Sequence, residues 1–168
     1  MPDPLEIKDL GIGKLREQLA ELGRTRITFG YQGPSGAAIH PDAGGASVSR
    51  VAAWQEFGTT TAPARPLGRH TMEANRDAFA DAAKRAIADV IDGRATPEAA
   101  VERVGEVALS ALRKTIDTSR IWAEANAVST VRAKGHDQPL VGSYGILYDQ
   151  ASWAVRVDGR IVRQGGEG

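Results

Sequence analysis

The chain contains no cysteine, few aromatic residues and no excess of charge of either sign. Without cysteine it can form neither a disulfide, nor a thiolate nucleophile, nor a cysteine metal site. The 21 Lys and Arg residues equal the 21 Asp and Glu residues, so the formal net charge is zero. A general nucleic-acid binder would need a basic surplus. A neutral chain repels its own copies only weakly, which favours self-association.

The sequence also lacks targeting and membrane signals. Its start, Met1-Pro2-Asp3-Pro4, has neither the basic segment nor the apolar run of a signal peptide. No stretch approaches the roughly 18 apolar residues that a membrane helix needs. We therefore expect a protein that is made and used in a cytoplasm, without a membrane partner. The length of 168 residues predicts a single domain over 1–168.

Hydrophobic periodicity predicts several helices. Leu15, Leu19 and Leu22 share one face of a helix over 11–22, with Gly23 as its stop. A short helix is predicted over 47–57, with Ser47 or Ser49 as N-cap, and a long one over 67–91. The expected buried stripe of the long helix over 67–91 is Met72, Phe79, Ala83, Ile87 and Val90. Another helix begins at Thr96 and ends near Asp117, and its stripe is Val101, Val104, Ala108, Leu112 and Ile116.

Strands are predicted where apolar and other residues alternate. One covers 25–31, and two more cover 152–157 and 160–163. Asp158-Gly159 between the last two is a hairpin signal. Segment 119–135 fits no single assignment. The expected fold class is α+β: a small, mainly antiparallel sheet packed against two or three helices.

Three segments lack a regular pattern. Gly and Pro residues make 32–46 a long loop. We expect this loop to be mobile in the free protein and to become ordered when it docks to a partner protein. Pro63 and Pro66 make 59–66 an extended arm, suited to lie across a neighbouring subunit. An ordinary linker between two helices of one subunit is the slightly stronger interpretation on physical grounds alone. Residues 164–168 are expected to be loose.

No catalytic or metal-binding pattern stands out. His40, His70 and His136 lie in different segments without a partner at metal-ligand spacing, so we interpret them as ordinary solvated residues. Gly142-Ser143-Tyr144-Gly145 lacks the nucleophile-elbow spacing and is interpreted as a turn. The sequence thus predicts no enzyme, no cofactor and no metal. A small hydrolase built around Ser143 or a histidine remains a rival hypothesis.

The three tryptophans are candidates for either core or interface positions. Trp153 alternates with Val155 on the inward side of a strand, which favours the core. Trp54 precedes the Pro-containing arm, and core and interface are equally supported there. For Trp122 the sequence favours neither.

Two passages resemble a known family. The first is Val51-Ala-Ala-Trp-Gln-Glu-Phe-Gly-Thr59 followed by Pro63-Ala-Arg-Pro-Leu67. It resembles the Glu-Phe-Gly-Thr and Pro-Ala-Arg-Pro signature of tail-completion and tail-component proteins of long-tailed bacteriophages. The second runs from about Ala108 to Val157 and includes Lys134-Gly135 and Pro139-Leu140. Tyr144 between Ser143 and Gly145 departs from the family, which usually has that pair adjacent.

The resemblance implies a structural virion protein of the neck or tail top. It implies a homo-oligomeric ring, expected to be hexameric, that completes the tail and helps to join it to the head. Its partners would be the tail tube, terminator and head–tail connector proteins, without sequence-specific nucleic acid, and it would be assembled in the host cytoplasm. The expected subunit-interface residues are Trp54, Glu56, Phe57, Gly58, Thr59, Pro63, Arg65, Pro66 and Leu67. We expect Arg65 to pair with a carboxylate across the joint.

Alternative roles remain open. The protein could be a tail terminator or a head–tail connector protein, since these roles share small α+β folds. It could also be a nucleic-acid-binding accessory protein, because basic residues gather in the second half of the chain: Arg113, Lys114, Arg120, Arg132 and Lys134.

Overall fold

The computed structural model describes residues 11–166 as nine helices and one three-stranded sheet. The helices are α1 (Ile12–Arg24), α2 (Gly33–Ala37), α3 (Val48–Phe57), α4 (Leu67–Ala74), α5 (Arg76–Ile91), α6 (Pro97–Asp117), α7 (Ser119–Trp122), α8 (Val128–Lys134) and α9 (Ile146–Asp149). The strands are β1 (Thr25–Gly30), β2 (Ser152–Val157) and β3 (Arg160–Gly165). The predicted α+β class is confirmed.

The sheet is antiparallel throughout, in the order β1-β2-β3. Strand β2 lies in the middle, so an early strand of the chain pairs with a late one: Thr28 is opposite Ala154. The turn between β2 and β3 has φ of 49° at Asp158 and 82° at Gly159. Two consecutive positive φ angles match the primed hairpin turn that Asp-Gly predicts.

The main core lies between α6 and the sheet. Leu109, Leu112 and Ile116 of α6 are at most 2% exposed, and they belong to one cluster with Trp153 and Val155 of β2. Trp153 is 4% exposed, which confirms its predicted core position. Thr96, where the sequence predicts a helix to begin, caps α6, because its Oγ1 accepts a hydrogen bond from Ala99 N.

The predicted helix over 67–91 is two helices that meet at Asn75. Asn75 leaves the helical conformation (φ −121°, ψ 17°), and its Nδ2 donates to the Thr71 carbonyl oxygen. A side-chain amide that bonds to a nearby carbonyl competes with the helical pattern. In the sequence, the only indication of this break is one Asn within an otherwise helical run.

The predicted apolar stripe of this segment is wrong in phase. Met72 and Ile87 are 49% and 45% exposed, and Ala83 is exposed as well. The buried residues of α5 are Ala82, Ala86 and Val90, of which only Val90 was predicted. The two alanines face α6 near Ala100, where small side chains let two helices approach closely.

Several predicted boundaries also shift. Helix α1 continues past Gly23 to Arg24, and Leu19 on its predicted inner face is 37% exposed. Tyr31 lies just outside β1. Residues 119–135, left unassigned from the sequence, contain α7 and α8. The predicted loose segment is partly wrong, because Gln164 and Gly165 belong to β3; residues 167–168 lie outside the described part.

The predicted long loop over 32–46 contains regular structure. It begins with α2, and Ile39 then forms an isolated bridge with Ser47. Ser35 and His40 within it are buried. Its mobility stays a prediction that hydrogen exchange can test.

Candidate functional site

The predicted arm over 59–66 folds back on its own helix. Thr59 N donates to the Ala62 carbonyl oxygen at 2.9 Å, and Thr59 Oγ1 accepts from the backbone N–H groups of Thr61 and Ala62. Arg65 N then donates to the Gln55 carbonyl oxygen of α3 at 2.6 Å. The segment thus begins with a tight turn over 59–62, and residues 63–66 then lead without helix or turn from α3 to α4 of the same subunit. The linker interpretation describes it better.

Gly58 and Glu56 fix the geometry of this link. Gly58 has φ of 77°, and a Cβ atom there would lie 2.9 Å from Ala64 N, so only glycine fits. Gly58 thus lets the chain turn sharply away from the end of α3. Glu56 accepts hydrogen bonds from Gly68 N at 2.7 Å and from Arg69 N at 3.3 Å. Its carboxylate thereby caps the positive end of α4.

Arg65 lies inside the subunit, with 6% of its surface exposed. Its guanidinium donates to the carbonyl oxygens of Glu124 at 2.7 Å and Ala125 at 3.2 Å, and to the side-chain oxygens of Asn126 and Gln55. Burial lowers the pKa of Arg65, and the charge of Glu124 opposes that effect. The expected pairing of Arg65 with a neighbour's carboxylate is replaced here by a network within the chain. We infer that Arg65 positions residues 124–126.

Trp54 and Phe57 remain exposed on the outer side of α3, at 40% and 75%. Thr59 is exposed beside them, whereas Pro63 and Pro66 are half-buried and Leu67 is 3% exposed in the core. Of the nine predicted interface residues, Trp54, Phe57 and Thr59 thus offer the most surface to a partner. The others hold this surface in place.

A groove of about 950 Å³ begins at Trp54 and runs between α3 and α8. We call it the α3–α8 groove; its walls include His40, Trp54, Arg65, Asn126, Lys134 and Ser143. Lys134 Nζ donates to the Gln138 carbonyl oxygen at 2.6 Å. Burial, followed by the nearby positive charge of Arg65, lowers the pKa of Lys134.

The two passages that carry the family resemblance meet at this groove. Pro63 and Arg65 come from the first passage, and Lys134 and Leu140 come from the second. They are some 70 residues apart in the sequence, so nothing local brings them together. The sequence analysis singled out each passage, but it did not predict that the two passages lie next to each other. Asn126 and Gln55, which join them through Arg65, gave no sequence signal beyond being polar.

His40 and Ser143 both line the groove, as the rival hydrolase hypothesis would require. His40 Nδ1, however, accepts a hydrogen bond from Asp42 N at 3.2 Å. A neutral histidine with Nδ1 as acceptor carries its proton on Nε2. Nε2 is then a donor and cannot take the proton of a serine hydroxyl. This arrangement speaks against a Ser-His nucleophile at this site.

The histidines are not the ordinary solvated residues that we predicted. His40 is 8% exposed and lies between the bridged residues Ile39 and Ser47, where its N–H donates to the Ala46 carbonyl oxygen. The His70 ring stacks on Trp122 with centroids 4.0 Å apart. His136 Nδ1 is buried and has no hydrogen-bond partner among residues 11–166. Trp122 itself packs against the main core and donates from Nε1 to the Thr115 carbonyl oxygen, which settles its position.

Several basic residues of the second half make contacts within the chain. Arg113 donates to the carbonyl oxygens of Tyr148 and Gly166, and Arg120 pairs with Asp137 at 2.8 Å. Lys134 is held at the groove. Three of the five candidates are therefore occupied by contacts within the chain.

Within residues 11–166, no cluster of His, Asp and Glu has the arrangement of a metal site. No helix in that range is long and apolar enough to span a membrane. Comparison with protein-family models, with curated proteins and with solved structures finds no match to this chain. A function must therefore be argued from the residues and their geometry.

Proposed function

We propose that the protein is a structural component of a bacteriophage neck or tail top that forms a ring, completes the tail and helps to join it to the head. The observation that carries the proposal is the exposed Trp54–Phe57 face beside a groove built from both passages of the family resemblance. Large aromatic side chains that stay exposed at the edge of a concave surface are typical of protein–protein contacts.

The contact between neighbouring copies would be heterologous. In a cyclic ring each subunit presents one surface and receives a different one. The Trp54–Phe57 face is the presented surface in this proposal. Glu56, Gly58 and Arg65 support it, because they fix the path of the chain from α3 through the turn to α4. A rigid surface loses little conformational entropy on binding.

Single substitutions on the exposed face give the sharpest test. Phe57→Ser removes an exposed aromatic ring without opening the core, since the residue is 75% exposed. Val162→Ser is a matched control, because Val162 is 55% exposed on β3, away from this face. We expect Phe57→Ser to abolish ring formation and Val162→Ser to preserve it. Mass measurement of the purified protein and cryo-electron microscopy of particle necks would show both.

Two results would count against the proposal. Absence of the protein from purified particles would remove the virion role. Rings that form equally well with Phe57→Ser and with the unchanged chain would remove the assigned surface. The position of a ring in the particle would also separate a completion ring from the alternatives, a tail terminator or a connector protein.

Nucleic-acid binding is the remaining alternative. Its support is limited to Lys114 and Arg132, since the other basic candidates make contacts within the chain. A duplex-DNA affinity that falls steeply with salt would favour it over the assembly role.

A further inference from the structure

We propose that the segment before α1, residues 5–10, covers an apolar cleft between α1 and the end of α5 of the same chain. This inference goes beyond the ring, because it concerns a contact within one subunit and holds whether or not copies of the chain assemble. It rests on an apolar surface that the described residues leave open and on the sequence that directly precedes that surface.

The cleft lies where the first turn of α1 meets the last turn of α5. It has a volume of about 430 Å³, and we call it the α1–α5 cleft; its apolar walls are Ile12, Leu15, Val90, Ile91 and Ala95. Val90 is buried, whereas Ile12 is 62% and Ile91 49% exposed. Two large aliphatic side chains thus line one open cleft. Covering both of them would stabilise the protein, since apolar surface would leave water.

The exposed apolar surface continues along both helices. Leu19 lies one helical turn beyond Leu15 in α1, and Ile87 lies one turn before Ile91 in α5; both are partly exposed. Residues four positions apart share one face of a helix. The surface therefore extends beyond the cleft, over about 10 Å of α1 from Ile12 to Leu19. A surface of this length suits an extended polypeptide segment better than a small molecule.

The sequence that precedes α1 has the composition to cover this surface. Residues 5–10, which lie outside the described part of the chain, read Leu-Glu-Ile-Lys-Asp-Leu and carry three aliphatic side chains. The next residue, Gly11, itself lines the cleft, so the segment starts at the edge of the surface. Six extended residues span about 20 Å, which exceeds the length of the surface. The covalent link also keeps the local concentration of the segment high, an advantage over any free partner.

The charges at the cleft also favour this occupant. The charged residues that line the cleft are Lys14 and Arg94. Arg94 is paired with Asp89 and Asp92, whereas Lys14 has no ion pair within residues 11–166, not even with Glu17 one turn away. The preceding segment has more acids than bases: Asp3, Glu6 and Asp9 against Lys8. Its negative surplus complements the charge of Lys14.

The first test pairs two substitutions in the complete protein and follows thermal unfolding. Ile7→Ser removes an aliphatic side chain from the segment, and Ile91→Ser removes one from the cleft. We expect Ile7→Ser to lower the Tm of the unchanged chain by about 2–4 °C, because a buried side chain is lost. In the Ile91→Ser chain the same substitution should lower Tm by clearly less, since its contact is already missing.

Two controls separate this contact from general effects. Lys8→Ser changes the same segment without removing an aliphatic side chain, and it should not lower Tm. Val128→Ser removes an aliphatic side chain that is exposed on α8. In the Val128→Ser chain, Ile7→Ser should cost as much as it does in the unchanged chain, because distant sites act independently.

A second test measures where the segment lies. Because the chain has no cysteine, Lys8→Cys and Lys84→Cys allow two nitroxide labels to be attached at chosen positions. Lys84 is exposed on α5, one turn from Ile87. Double electron–electron resonance should give one narrow distance distribution, and that distribution should persist when the labelled protein is diluted with an excess of unlabelled chain. With Ile91→Ser the distribution should broaden.

Four results would overturn the inference. An unchanged Tm with Ile7→Ser would show that this side chain stays in water. An equal loss in the unchanged and Ile91→Ser chains would place the segment on another surface. A broad label distribution in the unchanged protein would show that the segment does not dock. A distance that disappears on dilution would show that the segment covers a neighbouring copy instead. Phe57→Ser leaves the cleft intact, so failure of the proposed ring is distinguishable from each of these results.

Discussion

The indole ring of Trp153 lies directly against the backbone of Gly105 in α6. A Cβ atom on that glycine would be 2.7 Å from Trp153 Cδ2, and one on Gly165 of β3 would be 2.6 Å from Trp153 Cζ2. The ring is thus enclosed by two glycines, and its Nε1 donates to Glu106 Oε1 at 2.7 Å. This contact fixes the distance between α6 and the sheet.

Gly105→Ala should therefore destabilise the protein. Alanine is the better helix former by about 1 kcal/mol, but the added methyl group collides with Trp153, and overpacking costs about 1–3 kcal/mol. We expect a net loss in the free energy of unfolding, measured by urea denaturation. Gly13→Ala in α1 is the control, because nothing lies within 4 Å of its Cβ position. A gain in stability at both positions would contradict the close contact between Gly105 and the Trp153 ring.

Elements with a local signal could be predicted from the sequence. Thr96 at the start of α6 and Asp158-Gly159 in the hairpin act through neighbours in the chain, so their residue types suffice. The phase of α5 could not be predicted, because alanine and isoleucine both fit an apolar stripe. Only the close approach of α6 decides that Ala82 and Ala86 face inward.

Only part of the candidate site could be predicted, again because the sequence shows local signals and not contacts between distant segments. The motif residues Glu56, Gly58 and Arg65 could be singled out, but their partners lie elsewhere in the chain. Arg65 reaches residues 124–126, about 60 positions away, and no local pattern indicates such a contact. A buried arginine and an arginine at an interface have the same sequence signature.

Arg65→Lys should destabilise the fold although it keeps the charge. Lysine cannot reproduce the planar fork that reaches Glu124, Ala125 and Asn126, so buried acceptors would lose their donors. We expect a loss of about 1.5–3 kcal/mol in the free energy of unfolding. Arg69→Lys, at a side chain 62% exposed, should cost less. Equal losses at both positions would show that the network does not depend on geometry.

Glu56→Ala should weaken the start of α4. The carboxylate accepts from two backbone N–H groups there, and loss of such a cap costs about 1–2 kcal/mol. Glu73→Ala removes an exposed acid from the last turn of the same helix, where negative charge is unfavourable, and should be neutral or slightly stabilising. Circular dichroism melting curves of both variants would test this difference; a matching loss in both would refute the cap.

Tyr31 should make the protein less stable in alkaline solution. Its hydroxyl donates to the Leu147 carbonyl oxygen at 2.7 Å, and burial raises its pKa above the ordinary 10.0. Above about pH 10 the unfolded chain loses this proton while the folded chain keeps it, so stability falls as pH rises. Below about pH 10 the Tyr31 hydroxyl is protonated in the folded and the unfolded chain, so its contribution to stability is fully present.

Tyr31→Phe separates the two effects of this hydroxyl. It should cost about 1 kcal/mol at pH 7 through the lost hydrogen bond. Between pH 10 and 11 the variant should lose less stability than the unchanged protein, because its ring cannot ionise. Urea denaturation at both pH values measures this, and identical alkaline slopes would contradict the assignment to Tyr31.

The pairing of β1 with β2 has a consequence for the newly made chain. Thr28 finds Ala154 only after another 126 residues have been synthesised, which takes roughly 6 to 25 seconds on a ribosome. Until then Ile27 and Phe29 have no strand to pair with, because their partners Val155 and Trp153 lie in β2. The sheet therefore cannot close in a nascent chain until the residues of β2, as far as Val157, have been synthesised.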